Sequence, residues 1–121
     1  MKSILAFLLI LVIPVFLFSD NYTDSLTNLL KTEKSAKKRI ELNNIISDWY
    51  IESDPDKAIE YAEKAIRESK NNKIDTMMSE SYSLIGIAYK NKGDSKKALN
   101  FHFKSLKEEE RIKNKIDMAN T

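Results

Sequence analysis

The chain has no cysteine among its 121 residues, one histidine, two glycines and two prolines. Without cysteine there is no disulfide, no lipidated-cysteine anchor and no thiolate metal ligand, so the fold rests on packing alone. A single histidine, His102, excludes a zinc site built on several imidazoles, and no His/Cys spacing offers two convergent ligands. With glycine only at 86 and 93, no glycine-rich phosphate loop is available. No large charge of one sign exists either. Twenty bases stand against eighteen acids, and the bases alternate with acids along the chain. That balance gives no electrostatic footprint for nucleic acid and reads as solvated helix faces.

What the chain does have begins with an apolar run. Lys2 precedes residues 4–18 (ILAFLLILVIPVFLF), and Ser19-Asp20 turns the chain polar. This is the layout of a signal peptide over residues 1–19, with an exported (periplasmic or secreted) remainder. The run is short for a span of about twenty residues, and Pro14 would kink one. Leu17, at the third position before a cut after Ser19, departs from the small residue preferred there. The alternatives are an uncleaved membrane anchor through this segment and a buried core helix.

The remaining 102 residues amount to one small domain, rich in Lys, Glu, Leu, Ile and Ala, with Pro55 as their only proline. The apolar spacing predicts helices throughout. A lead helix covers 20–36 with Leu26, Leu29 and Leu30 on one face. A second runs from Ala36 to Ile51 with Leu42, Ile45, Ile46 and Trp49. Asp54-Pro55 is an N-cap followed by a first-turn proline, opening a third helix to Ser69. Asn71-Asn72-Lys73 is a polar linker. A fourth helix spans Ile74 to Asn91. Gly93 forms the next turn, Asp94 or Ser95 caps the fifth helix, and that helix ends near Ile112.

The pattern repeats every forty positions. Leu42 recurs as Tyr82, Ile45 as Ile85, Trp49 as Tyr89, Asp54 as Asp94, and Lys57-Ala58 as Lys97-Ala98. Repeats therefore occupy 37–76 and 77–116, the lead helix stands as half a repeat, and 117–121 starts a truncated third. Gly86 is costly in a helix interior. Its expected purpose is a close helix crossing opposite Ala98.

Tyr82, Ile85-Gly86, Tyr89, Gly93-Asp94, Ala98, Phe101-His102, Ser105 and Leu106 resemble the tetratricopeptide repeat, a helix–turn–helix unit. The first repeat matches at Leu42, Ile45, Trp49, Asp54, Ala58, Ala62, Ala65 and Ile66. It departs at Ile46 and Ser53, where small residues belong, which predicts a wider first hairpin. The six residues beyond the family's usual thirty-four fall around 70–75. The resemblance implies an all-α fold of antiparallel helix-turn-helix repeats forming a short solenoid. Its signature residues here are Trp49, Ala58, Tyr82, Gly86, Tyr89, Gly93 and Ala98. It also implies a non-catalytic protein–protein interaction module, without cofactor, that binds a partner peptide or protein. The groove residues implied by position are Asn43, Ser47, Tyr50, Ser83, Ile87, Lys90 and Asn91.

Asn100 to Asp117 resembles a longer variety of the repeat, found in exported or membrane-bound bacterial sensors. That implies the alternative of a truncated N-terminal sensory region of a membrane signalling protein, whether histidine kinase, nucleotide cyclase or transcription regulator. The last helix keeps Leu99, Phe103 and Leu106 without a covering helix, which also allows self-association there. No acid–base pair supports an enzyme. Asp54, Asp56, Glu60 and Glu63 read as a cap and a solvated face, and Glu108-Glu109-Glu110 as a solvated tract.

Overall fold

The computed structural model describes residues 21–121, which are helical with short turns and contain no strand. The expected leader, residues 1–19, lies outside the described residues. No helix among the described residues is long and apolar enough to cross a membrane.

The chain divides into two units, with the boundary after Thr32. In the first unit, α1 covers residues 21–32. Its threonines bond back onto their own helix, as in the 2.9 Å bond that the Thr27 hydroxyl donates to the Thr23 carbonyl. The lead helix therefore ends at residue 32, short of the expected 36. Ser35 stops it by taking extended backbone and accepting the Lys38 N–H, so Ala36 opens the next helix instead.

The second unit holds α2 (Ala36–Tyr50), α3 (Pro55–Asn71), α4 (Met78–Asn91) and α5 (Ser95–Ala119). Each helix packs on the next, and α4 also touches α2. Two antiparallel hairpins result. Arg39 meets Glu68 and Ser47 meets Ala58 across the first, while Ser79 meets Ser105 and Asp75 meets Arg111 across the second. Between hairpins, α4 runs parallel to α2. The Ser81 hydroxyl donates to Asn44 Oδ1 at 2.8 Å, and Asn91 Nδ2 donates to the Ile51 carbonyl at 3.1 Å.

Some local contacts recur along the chain. Asp54 and Asp94 both cap their helices, accepting the N–H of Lys57 and Lys97. Lys64 lies over the Tyr61 ring and Lys104 over Phe101, at 4.4 and 4.6 Å. The ends of α3 and α4 are the same motif. Ile74 N–H bonds the Ser69 carbonyl and Lys73 N–H that of Lys70; Asp94 N–H bonds Tyr89 and Gly93 N–H bonds Lys90. Both residues at the turn have positive φ, 55° at Lys73 and 83° at Gly93. Ser53, at the glycine position of the first hairpin, needs no such backbone.

The core joins the hairpins through Ala58, Ile59, Ala62 and Ile66 of α3 and Leu84, Ile85 and Ala88 of α4. Tyr82 and Tyr89 pack on it beside Phe101, whose ring stacks 5.5 Å from Tyr89. Three expectations need correction. Ile45 and Trp49 are each 44% exposed rather than core, although Ile85, the counterpart of Ile45, is 1% exposed and Tyr89, the counterpart of Trp49, packs on the core. Ile85 has a whole helix pair packed against it, and α2 has none ahead of it within its own unit. The close neighbour of Gly86 is the His102 imidazole, one turn beyond Ala98 on α5. Finally, α5 does not end near 112 but continues to Ala119, through the segment expected to open a third repeat.

Gly86 and His102 also account for Ile46. Ile46 and Ala62 are the counterparts of Gly86 and His102, and both are fully buried. The large residue lies on the first helix of one hairpin and on the second helix of the other, so the bulk changes sides between the repeats. The total volume to be packed is similar, which removes the reason for a wider first hairpin.

Candidate functional site

The seven positions expected to line one groove do not converge. Asn43 and Ser47 are buried. Asn43 Nδ2 donates to the Arg39 carbonyl, and its Oδ1 has no partner among the described residues. Ser47 donates to the Ala58 carbonyl at 2.7 Å, inside the first hairpin. Tyr50 stacks on Tyr61 with centroids 6.2 Å apart, and Lys57 lies over its other side. The Asn91 amide is spent on Ile51 and Glu52. Ser83, Ile87 and Lys90 remain accessible in part or in full.

The physical reason lies in the parallel stacking of α2 and α4. Asn44 of α2 bonds Ser81 of α4, so the face of α2 carrying Asn43 and Asn44 points into the stack. On α4 the matching face carries Ser83, Leu84 and Ile87, and it borders a cavity. Faces forty residues apart on α2 and α4 thus meet different surroundings.

That cavity opens between the two helices of the second hairpin. It encloses about 610 Å³ between α4 and α5, with Ser79, Glu80 and Ser83 on one wall and Glu109, Ile112 and Ile116 on the other. Its floor is a short hydroxyl chain. Ser105 donates to the Ser79 carbonyl at 2.9 Å, Ser79 and Ser105 oxygens lie 2.9 Å apart, and Ser79 donates to Glu109 Oε1 at 2.8 Å. At one end Asp75 is held by Lys115 and Arg111, whose hydrogen bonds keep its carboxyl below the usual carboxylate range. Arg111 also bonds Glu108, so its guanidinium is tied on two sides.

Chemically the floor offers hydroxyls and a carboxylate already bonded to one another. His102 is committed to packing on Gly86, and no group of three or more acidic, histidine or cysteine side chains among the described residues is placed to hold a metal. The walls offer shape and apolar surface.

A second feature adjoins the first. Leu99 and Leu106 of α5 are 58% and 54% exposed, while their counterparts Ile59 and Ile66 on α3 are 8% each. Burying a leucine side chain is worth roughly 1.5–3 kcal/mol. Two such residues on one helix face form a surface with a standing drive to be covered. The sequence points to the leucines by their spacing. It does not point to the cavity, because Ser79 and Ser105 look like ordinary polar positions. Comparing Ser105 with the buried Ala65, forty residues earlier, marks it as interior-facing.

No family model matches the chain, and no match is found among curated proteins or solved structures.

Proposed function

We propose that the chain is a non-catalytic protein-interaction module of the tetratricopeptide kind, exported or tethered through residues 1–19, that binds a partner peptide or protein on the surface of its stacked hairpins. The observation that carries this reading is the forty-residue stacking itself: parallel α2 and α4, joined by Asn44–Ser81 and Asn91–Ile51. Stacked helix pairs of this kind expose long surfaces built from successive units, and such surfaces are used for binding. Lys90 and Ile87 stay within the reading as accessible positions beside Ser83. A sensory front of a longer signalling protein is the second reading, favoured by the open α5 face that a continued array would cover.

The test is site-specific photo-crosslinking in cells. A photoreactive residue is placed in turn at Glu41, Lys90, Leu99 and Phe103, all of which are exposed. The expected outcome is a discrete adduct with another protein at one or more of these positions and none at the others. No discrete adduct at any position would overturn the module reading.

A further inference from the structure

The repeat supplies its own comparison for the open end of the stack. On α3, Ile59, Ala62 and Ile66 hold Leu84, Ile85 and Ala88 of α4 in one buried cluster. On α2, Asn44 holds Ser81 of the same helix. Together α2 and α3 form a seat, and α4 fills it. Moving forty positions along the chain, the same seat is built from α4 and α5: Leu99, His102 and Leu106 stand where Ile59, Ala62 and Ile66 stand, and Leu84 stands where Asn44 stands. In the described chain nothing fills it. Leu99 and Leu106 are open, Ile87 is 37% exposed, and the 610 Å³ cavity lies beside them.

The chain also fails to turn back at this point. Lys73 takes the left-handed conformation that ends α3 and leads α4 into its seat. Its counterpart Lys113 is inside a helix that continues to Ala119. The extra turns bring Ile112 and Ile116 along the cavity and lengthen the wall instead of covering it.

We infer that the α4/α5 face is a docking seat for an amphipathic helix of a partner protein, which packs on Leu99 and Leu106 and runs over the Ser79–Ser105 floor as α4 packs on α3 and α2. The surface is the counterpart, forty residues on, of the α2/α3 face, and that face accepts a helix. An extended peptide is a poorer occupant. Its backbone would need hydrogen-bond partners, and Ser79, Ser105 and Glu109 are bonded to one another, whereas a helix satisfies its own backbone. The partner's contact ridge is aliphatic and small, in the manner of Leu84, Ile85 and Ala88.

This inference rests on the reading of the chain as an interaction module, and the test separates the two. The probe is a fluorescent synthetic peptide of residues 74–92, the segment whose sequence fits the equivalent seat, titrated into the full chain. Binding is expected at about 10 µM. Ile116→Glu and Ser83→Arg change accessible positions beside the cavity and leave the helix content measured by circular dichroism intact. Each is expected to weaken binding about tenfold. Arg67→Glu, exposed on α3, is expected to leave it unchanged. No binding up to about 1 mM would overturn the seat. So would binding that both cavity variants leave unaltered, since the peptide would then be displacing α4 from α2 and α3. A chain that sediments as a dimer without peptide, and as a monomer with Ile116→Glu, would overturn the partner in favour of a second copy. If the peptide fails while crosslinks form at Glu41 or Lys90, the module reading stands and the helix seat falls.

Discussion

The imidazole of His102 fills the space a side chain at Gly86 would need: a Cβ built there would lie 2.8 Å from Cε1 and 3.0 Å from both ring nitrogens. The glycine thus has a packing partner that repays its cost in a helix interior, which is about 1 kcal/mol relative to alanine. In the first hairpin the same two positions carry Ile46 and Ala62.

That exchange yields a direct prediction. Gly86→Ile alone overpacks the second hairpin and should cost about 1–3 kcal/mol. His102→Ala alone opens a hole. Combined, the two substitutions rebuild the pair found at 46 and 62, and the double variant should be more stable than the sum of the singles by at least about 1 kcal/mol. Urea unfolding of the four proteins measures the coupling. Strictly additive values would show that the ring and the glycine do not share one site.

The paired helix ends give a second expectation. Lys73 and Gly93 occupy equivalent turns with positive φ. A left-handed backbone costs a residue with a Cβ roughly 1–2 kcal/mol. Lys73→Gly should therefore stabilise the chain by about 1 kcal/mol and Gly93→Lys should destabilise it by a similar amount. Nothing lies within 4 Å of a Cβ added at Gly93, so crowding cannot be the cause of that loss. Thermal melts of both variants check the pair. Equal and opposite shifts support backbone strain as the cause, and a Lys73→Gly protein that melts lower than the parent would contradict it.

Acid sensitivity follows from two carboxylates. The Arg39 guanidinium grips Glu68 through bonds of 3.0 and 3.1 Å and lowers its pKa, with a further bond from Asn72. Asp75 is lowered first by Lys115 and then by Arg111. A carboxyl whose folded pKa lies below its unfolded value stabilises the fold above the unfolded value, and that contribution disappears as pH falls through the folded one. The melting temperature should thus decline below pH ~4. Glu68→Gln and Asp75→Asn should each flatten that decline. Both pairs are near the surface, so added salt should shrink the difference between parent and variants. A pH profile identical in the parent and in both variants would remove these pairs from the account.

How far the sequence reaches can be judged residue by residue. Asp54, Pro55, Gly93 and Asp94 are each placed correctly from local chemistry, because caps and turns are decided within a few residues. The end of α5 is not. Asn71-Asn72-Lys73 becomes Arg111-Ile112-Lys113 one period later, and the loss of the two asparagines removes the stop that the period alone would place there. The start of α4 slips from Ile74 to Met78, since the Asp75 carboxylate is committed to Arg111 and Lys115 and no side chain caps the helix. Two expected groove positions, Asn43 and Ser47, are misplaced for a different reason. Asn43, Asn44, Ser47 and Ser81 are polar and look solvent-facing, yet all four are buried. Periodicity identifies apolar faces, and these hairpins are fastened together partly through polar ones.

The contact between Asn44 and Ser81 carries the last prediction. It crosses from one hairpin to the next, both residues are buried, and the Asn44 amide also reaches Glu80 Oε2 at 3.4 Å. Removing one partner leaves a buried polar group unsatisfied, which costs roughly 1–3 kcal/mol, whereas replacing both with apolar groups of similar shape is nearly neutral. Asn44→Leu should be destabilising by that amount while Ser81 remains. Asn44→Leu with Ser81→Ala should recover most of the loss. Hydrogen exchange adds a readout that total stability does not. If this bond couples the hairpins, Asn44→Leu should speed exchange at the amides of α4 and α5 more than at those of α2 and α3, because the second hairpin can then open while the first stays folded. Uniform acceleration across all four helices would mean that the chain unfolds as one body and that Asn44 contributes only to the total.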